Sequence, residues 1–152
     1  MHQNTSKSFD FIYWKKICFL LFLSITNGYL FSWINTSLSI DTNQDSLALL
    51  SKKDLFLMIA LHAPIIETIV FQYIPIEVTF KYFKRKWLSS IISASFFSII
   101  HTYSISYMCM TFIAGIILSV VYLESLKHNK IAVLYTILFH SVYNMYGFFF
   151  VE

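Results

Sequence analysis

The chain is expected to fold as an all-α bundle of membrane helices, and three observations carry that expectation. Of 152 residues, 57% are hydrophobic and 19% aromatic, while only 12% are charged. A soluble domain carries about a quarter charged residues, so there are too few polar side chains here to cover a water-facing surface. The apolar residues gather in five runs that approach the length a bilayer crossing needs. The lysines and arginines fall almost wholly in alternate connections between those runs, the pattern of a chain that crosses a membrane repeatedly.

The first run, residues 17–34 (ICFLLFLSITNGYLFSWI), has no charge and about the minimum length of a span. Lys15 and Lys16 before it imitate a signal peptide, but the run is long for one and no A-x-A-like site follows, so it reads as a retained helix. Residues 35–54 form the longest polar connection, with Asn35-Thr36-Ser37 as a sequon that matters only in a eukaryotic source. The second run, 55–80, is interrupted by Glu67, Pro75 and Glu77 and closed by the basic cluster Lys81 to Lys86. The third, 88–101, opens at Trp87, a residue type favoured at the membrane interface. TYSIS leads to the fourth, 107–123, and the polar ESLKHNK precedes the fifth, 131–150.

About five transmembrane helices in a single integral domain, 1–152, follow from this reading. With five crossings, Lys7, Lys15, Lys16, Lys81, Lys84, Arg85, Lys86, Lys127 and Lys130 share one side. Only Lys52 and Lys53 lie on the other. The positive-inside rule then puts the N-terminus in the cytoplasm and the C-terminus outside. The net charge of +3 is no nucleic-acid footprint. Cys18 and Cys109 both fall inside apolar runs and suggest neither a disulfide framework nor a C-x-x-C pair.

Against this apolar background Glu67, His101, His140 and Asn144 stand out. An ionised group at the bilayer centre costs roughly 3 kcal/mol on insertion scales, so such groups normally have a use. A rise of about 1.5 Å per residue sets Glu67 roughly 18 Å from the outer face. The same rise sets His140 roughly 14 Å, and His101 about 20 Å, from the inner face. Three helices thus bring polar groups to one level. His140 and Asn144 are four residues apart and share a helix face, as do Phe97 and His101. Gly115 and Ser119 form a small-xxx-small face suited to close packing, and Ser89 and Ser93 continue the Phe97 face.

Each residue also has a structural reading. A lone membrane histidine is more often an interhelical hydrogen-bond partner than a catalyst, and a His/Asn pair can be glue worth about 0.6 kcal/mol per bond. Glu77 reads as an interfacial ion-pair partner of the basic cluster, His62 as a weak candidate, and His2 and His128 as solvated. The structural reading weakens where Glu, His, His and Asn reach one depth on three helices.

In this order the motifs resemble the CPBP family of intramembrane proteases, which includes the type II CAAX prenyl endopeptidases and the bacteriocin self-immunity (Abi) proteins. That family reads E-E-x-x-x-R, then F-x-x-x-H, then H-x-x-x-N. The matching segments are ETIVFQ (Glu67 to Gln72), FSIIH (Phe97 to His101) and HSVYN (His140 to Asn144). The resemblance spans about 55–147, leaving residues 17–34 as one additional transmembrane helix. Thr68 stands where the family has a second Glu, and Gln72 where it has Arg.

The resemblance implies an endopeptidase that hydrolyses a peptide bond of a membrane-associated protein or peptide, with a lipidated substrate or a bacteriocin precursor among the options. Glu67 and His101 would activate water, His140 and Asn144 would stabilise the oxyanion, and Thr68, Gln72 and Phe97 would support them. A divalent metal such as zinc, held through His101 and His140, and a metal-free glutamate mechanism both remain open; Glu with two His resembles a zinc site with one free position. The other partner is the bilayer of a prokaryotic cell membrane, with no nucleic acid. The alternative, which the two departures favour, is a catalytically inactive family member acting as a membrane binding or bacteriocin-immunity protein. A proton-coupled carrier is weaker, because no internal repeat is present. Thr68 and Gln72 lie four apart and are expected to hydrogen-bond to each other, a neutral replacement for a Glu–Arg pair.

Overall fold

The computed structural model describes residues 2–40 and 50–151, with side chains from Asp10 onward in the first stretch. The side chains of His2 and Lys7 and the middle of the polar connection, 41–49, lie outside the described residues. Five helices make up the described chain: α1 His2–Ser37, α2 Lys52–Phe83, α3 Lys86–Ile99, α4 Ile105–Lys127 and α5 Ala132–Phe150. No strand occurs among the described residues.

Helix ends follow local chemistry more than hydropathy. α1 starts far before the apolar run, and partners hold it from Asp10 onward. The Tyr13 hydroxyl meets Ser125 Oγ at 2.9 Å, Lys16 Nζ meets Glu124 at 2.7 Å and Lys130 Nζ meets Asp10 at 2.8 Å. Ser51 caps α2: its Oγ accepts the Asp54 N–H at 3.2 Å and its hydroxyl donates to the Asp54 carboxylate at 2.6 Å. Lys84, at φ 54°, turns the chain out of α2 in the left-handed conformation. Ser104 caps α4 by accepting the Tyr107 N–H at 3.0 Å.

The contacts just given, and those below, set the direction of each helix. Tyr13 pairs with Ser125 near the start of α1, and Asn27 Nδ2 donates to Met110 O at 3.0 Å further on, so α1 and α4 are antiparallel. Tyr29 meets Tyr146 at 3.1 Å, while Tyr13 packs on Tyr135, so α1 and α5 are parallel. Ser98 Oγ donates to Met108 O at 2.7 Å across the α3–α4 turn. The chain therefore runs up and down, with its two ends on opposite sides of the bundle. Lys15, Lys16, the Lys81 to Lys86 cluster, Lys127 and Lys130 all lie at one end, called the basic end below.

Residues buried inside the bundle include Phe97, Leu118, Val121 and Phe139, joined by small polar residues such as Ser89, Ser93 and Ser119. Large apolar side chains face outward instead: Phe22, Ile66, Phe96, Ile113 and Leu138 are exposed, one on each helix. This inside-out distribution suits a lipid solvent. By length and composition, Asp10–Ser37, Lys52–Phe83 and Ile105–Lys127 are apolar enough to cross a membrane. α3, at 14 residues, is only about 21 Å long, short of a ~30 Å core.

The small-residue face in α4 makes a close helix contact. A Cβ on Gly115 would lie 2.9 Å from Ala94 Cα and 3.1 Å from Ala94 Cβ, so the backbones of α3 and α4 touch there. Gly115→Ala is expected to lower stability by about 1–3 kcal/mol, the usual cost of overpacking. Thermal unfolding in matched detergent would check this, and an unchanged midpoint would mean the two helices can separate freely.

Two sequence readings are corrected here. His128 is buried, with its ring 5.1 Å from that of Tyr13 and its Nε2 3.8 Å from Glu124, because α1 covers the α4–α5 turn. Glu77 does not serve the basic cluster; its Oε1 accepts the Tyr122 hydroxyl at 2.7 Å.

Candidate active site

The centre of α2 is shaped by its two prolines. Proline lacks an N–H, and its ring crowds the carbonyl four residues back. Ahead of each one the helix widens to i→i−5 bonding, over Met58–His62 and again over Thr68–Tyr73. The Ala63 N–H reaches Met58 O, and the next bond in that register would need an N–H at Pro64. The Ile59 carbonyl is thereby released, and Asn144 Nδ2 donates to it at 3.1 Å. Likewise Phe71, whose carbonyl a regular helix would pair with position 75, accepts from Ser93 Oγ at 2.6 Å. Side chains of α5 and α3 thus complete the backbone of α2 on either side of Glu67.

Glu67 sits at the middle of α2, half-buried, with its Oε2 3.6 Å from His140 Nε2. That is just beyond a direct hydrogen bond, and unliganded catalytic contacts are often long in this way. Thr68 Oγ1 lies 3.4 Å from the other ring nitrogen, His140 Nδ1. With Glu67 ionised, one tautomer satisfies both contacts. The Thr68 hydroxyl donates to Nδ1, and Nε2 carries the proton toward the carboxylate. Thr68 and the His140 ring are buried.

His101 lies just past the end of α3, in the turn before α4, not on the helix as expected. The helix stops early because Ser98 Oγ turns to Met108 O and the His101 N–H closes a tight turn on Ser98 O at 3.0 Å. The ring stays with the site: its Nδ1 donates to Phe97 O at 2.6 Å, leaving Nε2 as an acceptor. The Phe97 ring lies between the histidines, 4.7 Å from His101 and 5.9 Å from His140 between centroids.

Glu67, Phe97, His101, His140 and Asn144 all line one cleft of about 810 Å³. Its walls are mostly aromatic, aliphatic and small polar residues, and Glu67 is its only Asp, Glu, Lys or Arg among the described residues. His62 is exposed and does not line it.

Thr68 and Gln72 do not bond to each other. The wide turn rotates positions four apart off a common line, and each finds other partners. Gln72, fully buried, lies 2.8 Å from both Ser93 Oγ and Ser119 Oγ. Ser119 Oγ is also 2.9 Å from Gly115 O. Each hydroxyl has one proton and already has a backbone carbonyl to receive it. The amide NH₂ therefore faces the two serines; turned the other way, Nε2 has no partner. Sequence reasoning missed Ser119 and Ser93 as parts of this support. Their spacing on small-residue faces was visible, but their role depends on Pro75 releasing a carbonyl.

Among the described residues no group of three or more His, Cys, Asp and Glu side chains is arranged to hold a metal ion. Glu67 and His140 approach each other, while His101 is drawn to the Phe97 carbonyl. The donors as arranged do not fit a three-ligand zinc site.

An ionisable cluster at mid-depth in a helical bundle, facing a cleft between helices, defines a polytopic membrane protein built around a polar site. The sequence profile of the type II CAAX prenyl endopeptidase Rce1-like family matches residues 53–146. The chain belongs to that family, a family of membrane proteases. Comparison with curated proteins and with solved structures finds no match.

Proposed function

We propose that the protein is an intramembrane endopeptidase of the prokaryotic cell membrane, with Glu67 as its general base. The observation that carries this reading is the Glu67–His140 contact at the base of a cleft otherwise free of Asp, Glu, Lys and Arg among the described residues. The protease unit is 55–147, and the span at 17–34 is an addition to it. A peptide bond in the cleft would meet a water held between Glu67 and the Nε2 acceptor of His101. Glu67 takes a proton from that water as its oxygen attacks the carbonyl carbon. The carbonyl oxygen becomes an oxyanion, met by His140 Nε2–H and by the Asn144 N–H that Ile59 leaves free. When the C–N bond breaks, protonated Glu67 returns its proton to the leaving amine.

Reconstituted protein incubated with a library of membrane-associated peptides in ¹⁸O-water tests this. Cleavage should leave one ¹⁸O in each new carboxylate, and Glu67→Ala should abolish it. Failure to cleave any member, with retained binding, would instead support an immunity or binding protein, the reading that Thr68 and Gln72 favour. Activity that falls on chelation and returns with zinc would overturn the metal-free route.

Thr68 gives a finer test. If its hydroxyl sets the His140 tautomer, Thr68→Val should lower kcat/KM about five- to tenfold, the equivalent of one hydrogen bond of about 1 kcal/mol. Thr68→Ser should stay close to the parent. Equal rates in all three would remove Thr68 from the account.

A further inference from the structure

The turn between α2 and α3, at the basic end, carries a cluster that the cleft does not use. Lys81, Lys84, Arg85 and Lys86 fall within six positions, and all four are exposed. The left-handed backbone of Lys84 keeps the turn short, with only Lys84 and Arg85 between the two helices. Among the described residues no carboxylate lies within 4.0 Å of these four cations. The carboxylates at this end have partners elsewhere. Asp10 holds Lys130, Glu124 holds Lys16 with Lys127 and His128 close by, and Glu77, one turn from Lys81, accepts the Tyr122 hydroxyl. Asp41 and Asp45 precede α2 at its opposite end, across a helix of 32 residues or about 48 Å, and Glu152 follows α5. Four like charges held together repel one another unless a countercharge sits on them.

The surroundings of the cations point to what supplies it. Tyr82, Phe83 and Trp87 are interleaved with them and are 76%, 51% and 60% exposed. Ile74, Val78 and Tyr82, four positions apart, form an exposed stripe on α2, and Ile91 and Trp87 form another on α3. Along both stripes aliphatic side chains give way to an aromatic ring and then to the cations. The acyl chains, interface and phosphates of a lipid layer follow in the same order, and Trp and Tyr favour the headgroup level. We infer that the α2–α3 turn binds anionic phospholipid, with the two stripes against its acyl chains and Lys81, Lys84, Arg85 and Lys86 on its phosphate. A zwitterionic headgroup carries its own ammonium beside the phosphate and brings no net countercharge. None of these residues lines the cleft, so the binding is independent of the reaction proposed above.

Trp87 reports on the site directly. In a Trp14→Phe, Trp33→Phe background it is the single tryptophan of the full chain. The protein is reconstituted into phosphatidylcholine vesicles holding a fixed fraction of brominated lipid. Brominated phosphatidylglycerol should quench Trp87 more than brominated phosphatidylcholine does. Each basic residue near an anionic surface strengthens attraction about fivefold, so the association constants of the two lipids should differ by at least about that factor. High salt should remove the preference. Neutralisation by Lys81→Gln, Lys84→Asn, Arg85→Gln and Lys86→Gln together should do the same, asparagine being chosen at 84 because it accepts the left-handed backbone. Lys81→Arg with Lys86→Arg should retain it. The salt series uses the parent residues at the turn, so misfolding of the neutralised chain cannot decide the outcome. Equal quenching by the two lipids at low salt, or a preference that survives both salt and neutralisation, would overturn the proposal. Equal quenching together with a Trp87 response to an added soluble acidic peptide would overturn it in favour of a protein partner.

Discussion

Glu67→Gln is expected to lower kcat about 10²–10⁴-fold, the range that a positioned general base supplies. Glutamine keeps the shape of the side chain and can still hydrogen-bond, but it cannot accept the proton of the attacking water. The effect should fall on kcat with little change in KM, because in the proposed mechanism the residue acts at the reacting atoms and the cleft walls do the binding. Folding should survive, since among the described residues the close polar partner of the carboxylate is His140, at 3.6 Å. Steady-state kinetics on the identified substrate, with unfolding in the same detergent, would check both halves. A variant that loses stability and rate together would mark Glu67 as a structural residue.

The second large effect is expected at Gln72. Gln72→Arg would put a guanidinium where the side chain is fully buried and its polar neighbours are two serine hydroxyls. Stranding a charge in such a place costs about 3–5 kcal/mol. Gln72→Leu should cost far less, because Ser93 and Ser119 keep their own carbonyl acceptors on Phe71 and Gly115. Adding Thr68→Glu to Gln72→Arg supplies a carboxylate within reach of a long side chain and should recover part of the loss. Unfolding of the three variants in matched detergent decides this. Equal losses for arginine and leucine would mean that packing, and not charge, sets the cost at this position.

Much of this was legible in the sequence, for reasons of solvent. In lipid, apolar runs are long and charges are expensive, so the five helices, and Glu67, His101 and His140 among the apolar runs, stood out against their surroundings. The close approach at Gly115 was legible for a similar reason, since little besides a missing side chain lets two helices touch. What escaped was local backbone chemistry. Hydropathy cannot see that Tyr13 and Lys16 extend α1, because their stabilisation comes from Ser125 and Glu124 more than a hundred residues away in sequence. An ideal helical spacing predicted a Thr68–Gln72 bond and placed His101 on α3. The widened turn before Pro75 undid the first, and the Ser98–Met108 bond ended α3 before the second. Asn144 was read as a donor to substrate or as interhelical glue, but that its partner is the Ile59 carbonyl depends on Pro64 and could not be seen. The burial of His128 needed the knowledge that α1 folds back over the α4–α5 turn.

In the proposed mechanism Glu67 and His140 act as one unit on a single water and its oxyanion. A double-mutant cycle on kcat/KM with Glu67→Gln, His140→Ala and the combined variant measures it most directly. Groups that act together are strongly non-additive. The account predicts that the combined variant is about as slow as the slower single one. Losses that multiply would contradict it, because they would mean that the two side chains contribute independently.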